Sequence, residues 1–177
     1  EIDRWIISEL NRLIKEVDEA FYKYDATKAA RNISTFVNDL LSNWYVRLSR
    51  RRFWKGVLSN DKLAAYHTLF ECLNKVCRLI APLAPFFADR LFLDLNKENR
   101  SEVKDSVHLT VFPSSNDRYR DTDLEKKMNY ARDISSLALS IRKRNQIKVR
   151  QPLNKLIVPA KNILEKKSIE SISELIC

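Results

Sequence analysis

Apolar residues recur along this chain at steps of three and four. Ile2, Trp5, Ile6, Leu10, Leu13, Ile14, Val17, Phe21 and Tyr24 form one such stripe and predict a first helix over residues 3–23. Asp25 is the N-cap expected for a second helix, with Ala29, Ala30, Ile33, Val37, Leu40, Trp44 and Leu48 facing inward. A third is predicted over 60–81, with Leu63, Tyr66, Phe70, Leu73, Cys77 and Ile80 inward. Pro82 closes it, and Pro85 opens a short fourth helix over 86–95, where its missing N–H costs little. Residues 96–120 are polar and read as irregular, with Val107, Leu109, Val111 and Phe112 as an extended segment anchored on the bundle. Thr122 and Glu125 read as a capping box opening a fifth helix through Leu124, Met128, Ala131, Ile134, Ala138 and Ile141. Pro152 pushes Gln151 out of helical geometry. A strand-like run over 153–158 follows, then a last helix carrying Leu164, Ile169, Ile172 and Ile176. The expected fold is mainly α: a helical bundle over 1–150, then the start of a small α/β unit over 151–177, cut short.

Composition narrows the function. The chain has 177 residues, enough for a real core, and a single glycine, Gly56. One glycine cannot write a dinucleotide fingerprint or a P-loop, so Gly-rich nucleotide loops are excluded. The longest nearly apolar run, 79–88, is too short to span a bilayer and contains two prolines. No signal-peptide pattern opens the chain, so a cytoplasmic location is expected, and Glu1 in place of Met fits a piece of something longer. Cys72 and Cys77 stand five apart in a helical pattern, point to different sides, and read as reduced core residues. His67 and His108 lack partners at zinc-like spacing, so no metal site is expected. No nucleophile–base arrangement occurs either, and no catalytic residue is assigned.

Charge changes the picture most. Residues 47–55 carry Arg47, Arg50, Arg51, Arg52 and Lys55 without an acid; residues 142–150 carry Arg142, Lys143, Arg144, Lys148 and Arg150, again without one. These two stretches contribute +10 to a net charge of +9, so the remainder is −1. Two positive patches on a neutral body are the footprint of a polyanion-binding protein. One or two cations at a helix end offset the macrodipole, but five exceed that need. Tyr45, Phe53 and Trp54 lie in or beside the first patch and are the candidates for stacking on unpaired bases, with packing inside the bundle as the alternative. The stripe through Val37, Leu40, Trp44 and Leu48 continues by helical spacing onto Arg51 or Arg52, and that through Ala138 and Ile141 onto Asn145 and Lys148. A core cannot accept such charges unpaired, so both helix ends are expected to project past it or line a groove.

The segment SNWYVRLSRRRFW at 42–54 and the run IRKRNQIKVRQPL at 141–153 resemble the isoleucyl-tRNA synthetase family of class I aminoacyl-tRNA synthetases. The stretches APLAPFFAD at 81–89 and SVHLTVFP at 106–113 are similar to segments shared with the valine and leucine enzymes, and DRWIIS at 3–8 resembles the first helix of their anticodon-binding domain. The resemblance covers the whole chain. It implies a helical, tRNA-binding domain that contacts the anticodon stem and loop of tRNA(Ile) and continues from a catalytic domain in the same polypeptide. The parent would join isoleucine to its tRNA using ATP and Mg²⁺; neither the His-Ile-Gly-His nor the Lys-Met-Ser-Lys-Ser signature occurs in this chain, so the fragment itself holds no catalytic site and no cofactor. The cations of both stretches are the expected phosphate contacts. Two other classes fit the basic ends: a helical protein-interaction module and a peripheral membrane binder, the latter expected to show basic residues along a whole face opposite exposed Leu or Phe.

Overall fold

The computed structural model describes residues 1–54, 56–99, 104–160 and 162–171. Helices dominate: α1 (Ile2–Tyr22), α2 (Ala26–Thr35), a π-helix (Phe36–Val46), α3 (Arg50–Trp54), α4 (Asn60–Ile80), α5 (Pro85–Leu95), α6 (Thr122–Arg144) and α7 (Ile163–Ser171), with single 3₁₀ turns at Lys97–Asn99, Val107–Leu109 and Asp117–Tyr119. Among the described residues there is no β-strand. The expected strand over 153–158 is absent because a strand exists only in a ladder, and nothing described pairs with it. Ile172 and Ile176 lie outside the described residues. The chain forms two compact units, Glu1–Arg120 and Asp121–Cys177.

In the first unit α1 is the central element, packed by α2, the π-helix and α4. Its Trp5, Ile6, Leu10, Leu13, Ile14, Val17 and Ala20 are all buried, each of the large aliphatics contributing roughly 1.5–3 kcal/mol. The turn into α2 is a Schellman motif: Asp25 N–H donates to the Ala20 carbonyl at 2.8 Å and Tyr24 N–H to Phe21 at 2.9 Å. Tyr24 takes the left-handed position there, at φ 58°. Asp25 then caps α2 as expected, its carboxylate accepting from Lys28 N–H at 2.9 Å. The N-cap of α6 differs from expectation: Asp121, one residue before Thr122, accepts from Leu124 N–H at 3.0 Å. A carboxylate is at least as good a cap as a hydroxyl, and it was available first.

The α4 stripe is rotated from the expected one. Ala65, Cys72, Val76, Cys77 and Leu79 are buried, while Leu63, Tyr66 and Phe70 are partly exposed. Helical steps from Ala65 lead to Cys72, Val76 and Leu79, so that face is the enclosed one, and the larger Leu63, Tyr66 and Phe70 lie outside it. Both cysteines are buried free thiols; burial pushes the Cys77 thiol up to about 11, with its own backbone and Arg78 pulling the other way. Past α5, Val107 is buried against Cys77, Ala88 and Phe92, held by Asp89, which accepts from Ser106 Oγ at 2.6 Å and Val107 N–H at 3.0 Å. Phe112 sets its ring edge against Phe21 at 6.0 Å, whereas Leu109 and Val111 are exposed. That segment is therefore anchored at two points rather than along its length.

Candidate nucleic-acid interface

The π-helix decides where the first basic stretch points. Residues Phe36, Leu40, Leu41, Tyr45, Ser49 and Phe53 are the buried ones; of the expected stripe Leu40 is buried, whereas Val37, Trp44 and Leu48 are not. A π turn takes more residues per turn than an α turn, so each side chain after it is displaced around the axis relative to an α-helical count. Trp44 is consequently half-buried, Leu48 is 42% exposed, and Tyr45 is fully enclosed.

Past the π-helix the chain stays nearly helical, with Ser49 N–H donating to the Tyr45 carbonyl at 2.9 Å and Phe53 N–H to Ser49 at 3.1 Å. Arg47, Arg50, Arg51 and Trp54 follow at i, i+3, i+4 and i+7, the spacing of a single helix face. All four are exposed, Trp54 by 82%, and among the described residues the three arginines carry no ion pair. Lys55 lies outside the described residues.

The opposite face is closed. Tyr45 donates its hydroxyl toward Asp3 Oδ1 at 2.7 Å and the Ala65 carbonyl at 3.1 Å, and burial together with the Asp3 carboxylate pushes its phenol up. Phe53 lies between Tyr45 and Tyr66, at centroid distances of 6.4 and 5.2 Å. Neither ring is open to a base, which corrects the expectation for Tyr45 and Phe53: both are core. Trp54 alone of the three candidates offers a free face.

Arg52 also departs from expectation. Its Nη1 and Nη2 form a fork on Asp3 at 2.9 and 2.7 Å, while Nε reaches Asp61 Oδ2 at 2.9 Å and Nη2 the Asp61 carbonyl at 3.0 Å. At least four of its five N–H donors are thus engaged within the protein. Burial pushes the Asp3 carboxyl up, but hydrogen bonds from Arg52 and Tyr45 and the Arg52 charge outweigh it, leaving Asp3 below the usual carboxylate range. Arg52 is a brace between α1, α3 and α4. Asp3, Asp61 and the Tyr45 hydroxyl were invisible as a site in sequence because their ties span up to 49 positions.

The second stretch ends α6. Ile147 N–H donates to Arg142 at 2.9 Å and Gln146 N–H to Lys143 at 3.2 Å, a Schellman motif with Gln146 at φ 56°. Arg142 is half-buried and turns inward: its Nη1 reaches the carbonyls of Lys148 and Gln151 at 3.1 and 2.8 Å. Lys143, Arg144, Lys148 and Arg150 are exposed. Among the described residues no helix is long and apolar enough to cross a membrane.

Residues 3–157 match the family described as anticodon-binding domain of tRNA ligase. The chain belongs to that family. This anticodon-binding domain is 51% identical over 176 residues to isoleucine–tRNA ligase of Bacteroides fragilis, covering 99% of the chain and 15% of the relative. It is 50% identical to that of Cytophaga hutchinsonii over 176 residues (99% of the chain, 16% of the relative), and 42% identical to that of Dehalococcoides mccartyi over 174 residues (98% and 17%). The domain thus spans about a sixth of the length of these curated relatives. The family match runs across the division between the two compact units at Asp121.

Proposed function

We propose that this domain is the tRNA-binding part of an isoleucine–tRNA ligase, docking on tRNA(Ile) through its anticodon stem and loop. The observation that carries the reading is the face formed by Arg47, Arg50, Arg51 and Trp54: three exposed guanidiniums, without an ion pair among the described residues, leading to an exposed indole. Guanidiniums suit backbone phosphates, and an exposed indole at the end of the row suits an unpaired base. Lys143, Arg144, Lys148 and Arg150 supply further phosphate contacts, and Lys55 joins them on sequence grounds. Arg52 and Arg142 add field rather than contact. The 50% identity to isoleucine enzymes favours tRNA(Ile) over the valine or leucine tRNAs. The whole ligase, by this reading cytoplasmic, joins isoleucine to its tRNA with ATP and Mg²⁺ in another part of the polypeptide. A Gly-rich phosphate loop cannot be built in this domain, whose single glycine, Gly56, stands in an exposed bend.

Titrating cognate and non-cognate tRNA across a salt series tests this. Replacing Arg47, Arg50 and Arg51 with Ala should lower affinity strongly and flatten the log–log salt slope by about 2 to 3, at roughly 0.7–0.9 per phosphate contact. Trp54→Ala should weaken binding at an unchanged slope, and tRNA should quench indole fluorescence in wild type but less in that variant. Equal affinity of wild type and triple variant would overturn the reading.

A further inference from the structure

We infer that Asp3 and Asp61, two acids beside the basic face, strengthen RNA binding, acting through Arg52 as positioning residues. This rests on the tRNA reading above. Elementary electrostatics predicts the reverse, since removing an acid near a polyanion site normally tightens binding.

α3 is a five-residue continuation of the π-helix across a turn at Ser49, and it carries Arg50, Arg51 and Trp54 on its outer side. Its inner side is fixed by Phe53 and by Arg52. The Arg52 fork on Asp3 ties α3 to the first turn of α1, and its contacts with Asp61 tie it to the first turn of α4. Tyr45 donates to the same Asp3 oxygen, so the end of the π-helix enters the same knot. Three elements therefore meet at one guanidinium and a fourth joins them through Asp3, and the outward face is the far side of that junction. A fork–fork pair fixes the orientation of a plane as well as a distance, which a single ammonium cannot do.

The competing possibility is that RNA phosphate draws Arg52 away from its carboxylates. The two differ in sign. With Arg52 as a positioning residue, Asp3→Asn weakens tRNA binding about tenfold, the low end of the scale of one charged hydrogen bond. With Arg52 as a phosphate ligand held back by Asp3, the same substitution tightens binding. Asp18→Asn is the control, an exposed acid on α1 that, among the described residues, has no ion pair; it should tighten binding slightly.

The experiment is tRNA affinity and its salt slope in the intact ligase, with folded fraction verified by circular dichroism. Asp3→Asn and Asp61→Asn should each weaken binding, the second less because Asp61 is 68% exposed. Arg52→Ala should weaken binding without flattening the salt slope, whereas Arg51→Ala should flatten it by about 0.7–0.9. Arg52→Lys keeps the charge but not the fork and should resemble Arg52→Ala. Should Arg52→Ala fail to fold, the isosteric Asp3→Asn still decides. Unchanged or tighter binding by Asp3→Asn overturns the inference, as does wild-type behaviour of Arg52→Lys. If the Arg47, Arg50 and Arg51 variant also binds like wild type, the tRNA reading of this face fails as well; if that variant is impaired, only the positioning role fails.

Discussion

The two basic stretches carry five cations each and each turns one arginine back toward the protein, yet they are fastened by different chemistry. In residues 47–54 the inward arginine, Arg52, meets two carboxylates, and the aromatic side chains beneath it are core. In residues 142–150 the inward arginine, Arg142, meets, among the described residues, only backbone carbonyls of the next few residues, and Ile141 beside it is 57% exposed. The first end is tied to distant elements; the second is tied to itself. Equal charge thus hides unequal rigidity, and the preorganised end is the one that presents an aromatic face beside its guanidiniums.

That contrast can be broken most forcefully below the charges. Tyr45→Ala should cost roughly 3–5 kcal/mol in denaturant unfolding, through the cavity left by a fully enclosed ring. Ile141→Ala, at the corresponding place under the second stretch, should cost less than about 1 kcal/mol. Similar costs would mean that the two ends are anchored alike.

The inward arginines come next. Arg52→Ala should destabilise by about 2–3 kcal/mol, below the 3–5 typical of a fully buried pair because Arg52 and Asp3 keep 20% and 26% of their side-chain surface. Arg142→Ala should cost about 1 kcal/mol, the value of hydrogen bonds to exposed carbonyls. Arg51→Ala should stay within about 0.5 kcal/mol, as an exposed surface residue.

Acid separates the two ends by a further route. Asp3 has a lowered pKa in the folded protein, so its contribution is present above the unfolded carboxylate value of about 3.9 and fades as pH falls through the folded one. Carbonyl acceptors do not titrate in that range. Hydrogen exchange below about pH 4 should therefore open amides around 45–54 while leaving Arg142 and its loop protected, and Asp3→Asn should remove that pH dependence. The smallest effect sharpens the second end: Gln146→Gly should stabilise by about 0.5–1 kcal/mol by relieving the left-handed backbone, seen as a raised melting temperature.

Much of the fold was legible because α1, α2, α4 and α5 announce themselves by period and caps: Asp25 and Pro85 stand where expected. The site was half legible. Charge density located both stretches, and Arg47, Arg50, Arg51, Lys143, Arg144, Lys148 and Arg150 are on the surface as expected. What failed was register. Counting at 3.6 residues from Ala29 leads to Trp44 and Leu48; the buried row that runs on to α3, Phe36, Leu41, Tyr45, Ser49 and Phe53, steps by five and then by four, with Leu40 buried beside it. That slower step is written in the sequence, but an α-helical template reads past it, because Val37 and Trp44 satisfy the template equally well. The roles of Asp3 and Asp61 were beyond any local pattern, as each acid meets Arg52 only after the chain has folded back.

The π-helix makes chain length at one place a determinant of which side chains face outward. Deleting a single residue between 36 and 46 would convert a wide turn into an ordinary one and turn everything after it by about 100° about the helix axis. Tyr45, Ser49 and Phe53 would leave the core, Arg52 would swing off Asp3, and the arginine row would face a new direction with every side chain still present. Length variation within 36–46 should therefore be far less tolerated than substitution at its exposed positions.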